Sequence, residues 1–352
     1  MLRAQRQFTC THAARVSLFR LSRIDFMATI VGSGEFTYQT VDGWAQLPDG
    51  WKMGEVAAVG VDRHDNVYVF NRGEHPMIVF DREGRFLRSW GEGFYARPHG
   101  VHMGPDDTIY LTDDGASAVY KCDLYGKTLM TVGVPREPTP FMSGLPFNHC
   151  THTALSPAGD LFVSDGYGNA RIHKYTPDGK LIKSWGEPGC EPGQFNLPHN
   201  ISCDEDGWLY VADRENHRIQ IFDSDGRFET QWHNLHRPNG MYMPRGKCPL
   251  CYVGETGPMY GFNRGAPNLG PRLSILSNKG EVLVRIQSTP SAGTAPGQFL
   301  SVHGVAVDSH GDIYVGETSY TSWPLLFPDK PMPATLRSLQ KFQKIAPQTV
   351  AQ

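Results

Sequence analysis

The sequence holds no apolar run near the roughly 20 residues that cross a bilayer as a helix, so a helical membrane span is excluded. Nor does either sign of charge dominate. The 33 Lys and Arg stand against 36 Asp and Glu, which leaves no electrostatic footprint for nucleic acid. Cysteine is sparse, with seven scattered residues, an odd number. The close pair Cys248-Pro-Leu-Cys251 lacks the second pair that a zinc knuckle needs, and reads as two buried thiols on one strand or hairpin. Long helical periodicity is missing, which excludes an α/β barrel. A secretory signal is missing too: residues 1–27 carry Arg3, Arg6, Arg15, Arg20 and Arg23 against Asp25, with no apolar stretch or small-residue cleavage site. This basic N-terminal extension is either a targeting segment or sequence upstream of a start at Met27, and is expected to be disordered or outside the mature fold. The cysteine usage and the missing signal together point to the cytoplasm.

What the chain has in plenty is turn-forming residues, 38 Gly and 26 Pro. Six segments can be laid under one another, opening on Val59-Gly-Val-Asp62, Gly100-Val-His-Met103, Thr153-Ala-Leu-Ser156, Ile201-Ser-Cys-Asp204, Gly240 and Gly304. Each reads as four short strands rich in Val, Ile, Phe and Tyr. Asp-Arg-Glu-Gly84, Thr-Pro-Asp-Gly179, Asp-Ser-Asp-Gly226 and Ser-Asn-Lys-Gly280 recur between the third and fourth strands, where glycine supplies the positive φ of a tight hairpin. A repeat of roughly 40 to 50 residues with four strands per unit predicts an all-β six-bladed β-propeller with antiparallel blades, a single domain over residues 28–352. The sixth unit supplies three strands, and the segment from Phe36 to Leu47 has no blade of its own. The N-terminal strand is therefore expected to complete the last blade and remove its exposed edge.

Aligning the units puts Ala57, His99, His152, His199, Asn239 and His303 at one position, just before the innermost strand, facing the central channel. Neutral imidazole ligates Zn(II) and similar first-row metals, and three protein ligands with an open position distinguish a catalytic site from a closed structural one. Four histidines at one register favour a metal over histidines that only bond channel water. A second ring, Asn71, Asp113, Asp165, Asp213, Glu255 and Glu317, follows the second strands. Its recurrence in every blade predicts staples that accept turn N–H groups rather than general bases. Arg72 and Tyr167 are unrepeated. Arginine offers a forked donor to a carboxylate or carbonyl, and tyrosine beside a cation can act as a base, so both are candidate catalytic residues; an ordinary surface role is the alternative.

These repeats resemble NHL repeats, most clearly in Arg214-Glu-Asn-His-Arg-Ile-Gln-Ile-Phe-Asp223. The ring as a whole resembles the catalytic domain of peptidyl-α-hydroxyglycine α-amidating lyase. The motifs are Asn71-Arg-Gly-Glu-His75, Pro98-His-Gly-Val101, Ser164-Asp-Gly-Tyr-Gly-Asn-Ala-Arg-Ile172, Pro198-His-Asn-Ile201, Ala212-Asp-Arg-Glu-Asn216 and His303-Gly-Val305. The resemblance implies a divalent metal on His99, His199 and His303, zinc first and iron, manganese or copper as alternatives. It also implies that Arg72 binds the carboxylate or carbonyl side of the substrate and that Tyr167 is the base. In that family, loss of a carbinolamide hydroxyl proton breaks a C–N bond to give an amide and glyoxylate.

Departures from the family pattern are specific. Gly168 stands where a cysteine would form a disulfide. Ser301 and Val302 replace Met-Pro, and Gly304 replaces an aspartate, so the family's structural calcium is not carried over. His152 replaces an acid and is a candidate fourth ligand, proton shuttle or supporting group behind the ligands. Asn239, Ser301 and Trp323 are candidate substrate contacts. Two insertions, 320–333 and 135–148, are long enough to form a lid or a partner surface. Trp323, Leu326 and Phe327 could close over a small, partly apolar substrate, or 320–333 could make a homodimer contact. The expected function is a metal-dependent lyase that cleaves a C–N or C–O bond of a small hydroxylated substrate held at the tri-histidine metal. The alternatives are a hydrolase or hydratase at the same site, and a non-catalytic NHL scaffold.

Overall fold

The computed structural model describes residues 28–244 and 250–346, so the basic extension and Cys248 lie outside the described residues. The short β-branched and aromatic segments form strands, and glycine turns end them. They assemble into six antiparallel sheets set around a channel. The innermost strands of blades 1 to 6 are Val56–Val61, Pro98–Met103, His152–Leu155, Pro198–Cys203, Pro238–Tyr242 and Val302–Val307.

The ring closes through the two ends of the described chain. Strand Leu339–Lys344 in blade 6 pairs with the N-terminal strand Phe36–Val41, with Tyr38 opposite Lys344 and Val41 opposite Lys341. Ile30–Ser33 adds a fifth strand outside it. The N-terminal strand thus completes the closing blade, as its lack of a blade of its own predicts.

The apolar core is divided among the blade interfaces. Tyr68, Phe70 and Val79 of blade 1, for example, pack against Val101, Ile109 and Leu111 of blade 2. Hairpin glycines let neighbouring blades approach. Gly226 has a φ of 76°, and a Cβ there would lie 2.6 Å from the Trp185 ring of the preceding blade. Cys251 is buried on the strand Leu250–Glu255.

The ring of acids and amides acts as staples. Asp113 accepts the Ala96 N–H at 2.6 Å, Asp165 that of Asn148 at 3.1 Å, Asp213 that of Asn196 at 2.8 Å, and Glu317 that of Leu300 at 2.7 Å. Asn71 holds the Gly54 N–H at 3.2 Å and Glu255 that of His236 at 2.6 Å. Each staple fixes the backbone just ahead of the innermost strand, where the axial residues sit. Among the described residues the one α-helix is α1, Ser319–Leu326, and no helix is long and apolar enough to cross a membrane.

Candidate metal centre

In blades 2, 4 and 6 the innermost strand carries a register shift. Pro98 faces Asp113 while Gly100 faces Thr112, so His99 is left out of the ladder; His199 and His303 are left out in the same way. A bulge re-aims the extra side chain. All three imidazoles turn to the axis, with ring centroids 4.8 to 4.9 Å apart and candidate ligand nitrogens within 4.8 Å of one another. Among the described residues they are the one group of His, Cys, Asp or Glu placed to share a metal.

Blade 3 has no such shift. His152 faces Ser164 in the regular ladder, the place that Gly100, Asn200 and Gly304 hold in the even blades. Thr151 is therefore the axial residue of blade 3, and the alignment that sets His152 level with the other three histidines is out by one position. Pattern alone does not reveal a bulge. His152 lies outside the triad, lining a cavity of about 610 Å³ along the channel, with Nδ1 2.9 Å from the Thr153 carbonyl. Burial lowers its pKa to about 4.

The triad suits a cation. The Nδ1 atoms of His99, His199 and His303 lie 2.7, 3.1 and 2.6 Å from the carbonyl oxygens of Thr151, Asn239 and Ala57. A carbonyl only accepts, so each Nδ1 carries the proton and each Nε2 offers its lone pair to the axis. Burial, reinforced by nearby Arg72 and Arg214, holds all three imidazoles well below their usual pKa and so in the neutral, ligating form. The Tyr167 hydroxyl lies 3.1 Å from His99 Nε2 and 3.0 Å from His199 Nε2. One phenolic proton cannot satisfy two acceptors, and a cation among these nitrogens would relieve the shortfall.

Beside the triad, a cavity of about 180 Å³ is lined by Arg72, Arg97, Arg214, Tyr167, Asn239 and Ser301 among others. Arg72 donates to Glu55 at 2.9 Å and to the Pro98 carbonyl at 3.1 Å, while its Nη2 is buried with no partner. The Nδ2 of fully buried Asn239 also has no partner. Arg97 and Arg214 lie 5.9 and 5.7 Å from the centre of the Tyr167 ring. Ser301 is bonded to Thr318 at 3.0 Å. Trp323 instead packs with Leu300, Leu326 and Leu336 in a small core at α1, and it is Leu325 and Leu326 that line the cavity.

Arg97 and Arg214 are site residues that the sequence pattern did not single out. A signal for Arg214 existed: it follows Asp213 as Arg72 follows Asn71, so Arg72 has a counterpart in blade 4. Alignment on the staples, rather than on the strands, brings the two together.

Fold and site thus define a six-bladed β-propeller with a buried tri-histidine metal-binding triad. An NHL repeat model matches residues 195–222. The human NHL repeat-containing protein 3 is 30% identical over 227 residues, 60% of this chain and 65% of that protein. The Drosophila melanogaster peptidyl-alpha-hydroxyglycine alpha-amidating lyase 1 is 32% identical over 236 residues, 56% of this chain and 43% of that protein. The chain thus spans less than two thirds of the length of these curated relatives. A solved streptogramin B lyase shares the fold, with a TM-score of 0.54, 14% identity, and coverage of 84% of this chain and 95% of the other. The chain is an NHL-repeat propeller related to amidating-lyase-like and NHL-repeat proteins.

Proposed function

We propose that this propeller is a metal-dependent lyase that cleaves the C–N bond of a small α-hydroxylated acyl amide carrying a carboxylate. The observation that carries this reading is the triad: three neutral imidazoles, each locked by a carbonyl so that Nε2 faces a common point beside a phenol. His99, His199 and His303 would hold a divalent metal. Zinc suits an all-imidazole set, with iron, manganese or copper as alternatives. When bound, the metal supplies Lewis acidity that eases loss of the substrate hydroxyl proton.

The chain's own groups do the rest. The free Nη2 of Arg72 takes a substrate carboxylate oxygen and orients the molecule. The Tyr167 oxygen, directed at the triad, accepts the hydroxyl proton. The O–H electron pair becomes the C=O bond of an aldehyde acid, the C–N bond breaks, and Tyr167 returns the proton to the nitrogen as the amide leaves. The similarity to a protein named as an amidating lyase supports this chemistry. The free thiols of Cys122, Cys150, Cys190, Cys203 and Cys251 support a reducing compartment, the cytoplasm. The test is glyoxylate release from N-acetyl-α-hydroxyglycine by protein whose metal has been measured. Loaded protein that releases none rejects the lyase.

A further inference from the structure

The cavity beside the triad has two unlike sides. One carries polar groups that lack partners, Arg72 Nη2 and Asn239 Nδ2. The orientation of the Asn239 amide is set by its Oδ1, which faces Arg214 Nη1 at 3.5 Å, so Nδ2 is the open donor. The other side carries an apolar group, Met259, Leu300, Leu325 and Leu326, beside the hydroxyl residues Thr321 and Ser322.

Half of those apolar residues, Leu325 and Leu326, belong to α1, which is tied down at several points. Glu55 accepts the Thr321 N–H and, at 3.1 Å, the Thr321 hydroxyl, while the same carboxylate holds Arg72 at 2.9 Å. Thr318 bonds Ser301, and the Tyr320 hydroxyl holds the Leu336 N–H at 3.1 Å. The helix is thereby coupled to the guanidinium that faces the cavity. At about 180 Å³ the space falls below the roughly 300 to 1,000 Å³ typical of drug-sized ligands.

Resting on the lyase reading above, we propose that α1 is a lid restricting this site to short, non-peptidyl carboxylates. Arg72 and Asn239 take the acid end, and Leu325 and Met259 set the length of the acyl end. A peptide ending in the same acid group would carry its chain beyond the roughly 180 Å³ that these residues line and against Met259 and Leu325. The substrate is a short acylated amino acid rather than the end of a peptide.

The test is calorimetric binding to the metal-loaded full chain of two unreactive ligands, acetylglycine and an acetylated tripeptide ending in glycine. Acetylglycine is expected to bind at least about tenfold more tightly, a gap of about 1.4 kcal/mol. Leu325→Ala, or Met259→Ala should the first variant fold poorly, is expected to narrow the gap to within about threefold. Equal affinities in the unaltered chain, a gap that persists in both variants, or no binding of either ligand would overturn the proposal. Cleavage is not read here. If acetylglycine binds but its α-hydroxy form is not cleaved, the lyase reading fails and the lid stands.

Discussion

His303 Nδ1 donates to the carbonyl oxygen of Ala57 at 2.6 Å, joining the last blade to the first across 246 residues of sequence. The same bond runs from His99 to Thr151 and from His199 to Asn239. Even blades supply the imidazoles and odd blades supply the acceptors that hold them. Ligand geometry and ring closure are therefore one structure. A metal that binds the closed ring and not the unfolded chain stabilises that ring.

Replacing His99, His199 or His303 with Ala should each reduce bound transition metal from about one per chain to near zero. His152→Ala should keep it, because His152 lies in the regular ladder and outside the triad. Plasma mass spectrometry on chelator-free protein reads both outcomes. Metal loss from H152A would show that the fourth histidine takes part.

Tyr167→Phe removes the hydroxyl that faces His99 and His199 while leaving the ring beside Arg97 and Arg214. Turnover of acetyl-hydroxyglycine should fall about 10²- to 10⁴-fold, the usual contribution of a positioned proton acceptor. Metal content should stay unchanged. A variant as active as the parent would remove Tyr167 from the mechanism.

Glu215 gives the fold a pH dependence of known sign. Burial pushes its pKa up, but Arg237 and Arg214 outweigh burial and hold it at about 2, against 4.5 when free. Between these values the unfolded chain binds more protons than the native one, so this stability is present above pH 4.5 and lost as pH falls toward 2. Glu215→Gln should cost about 2 kcal/mol at pH 7, allowing for solvent screening, and flatten that part of the acid-unfolding curve. Urea melts across the pH range measure the slope.

Gly304→Ala tests the link between closure and site. A Cβ at Gly304 would lie 2.7 Å from Ala58 Cα, a backbone atom of blade 1 that cannot swing aside. Separating the two blades should cost about 2 kcal/mol and lower the melting temperature by about 3 °C. His303 is the adjacent residue, so metal affinity should fall as well. Unchanged melting and affinity would show that the interface absorbs the methyl group.

Much of this was legible in the residues. The spacing of Val-rich strands and hairpin glycines carried the blade count, and the unassigned strand at Phe36–Val41 carried the closure. The acids after each second strand read as staples because a feature repeated in every blade serves the blade. The triad itself could be named from motifs. Arg214 was legible only by aligning on the staples, and Arg97 and the Glu55 anchor of α1 were not, since their partners come from other blades or from distant sequence.

The sequence by itself determined the repeat, the all-β ring and the set of histidines available to a metal, because strand period and turn chemistry are local properties of the chain. Why three of the four aligned histidines meet, and His152 does not, was decided only in the tertiary structure. Register is a pairing between strands, and a one-residue shift turns a side chain from the ladder to the axis. That shift places His99, His199 and His303 around a single point and leaves His152 outside it.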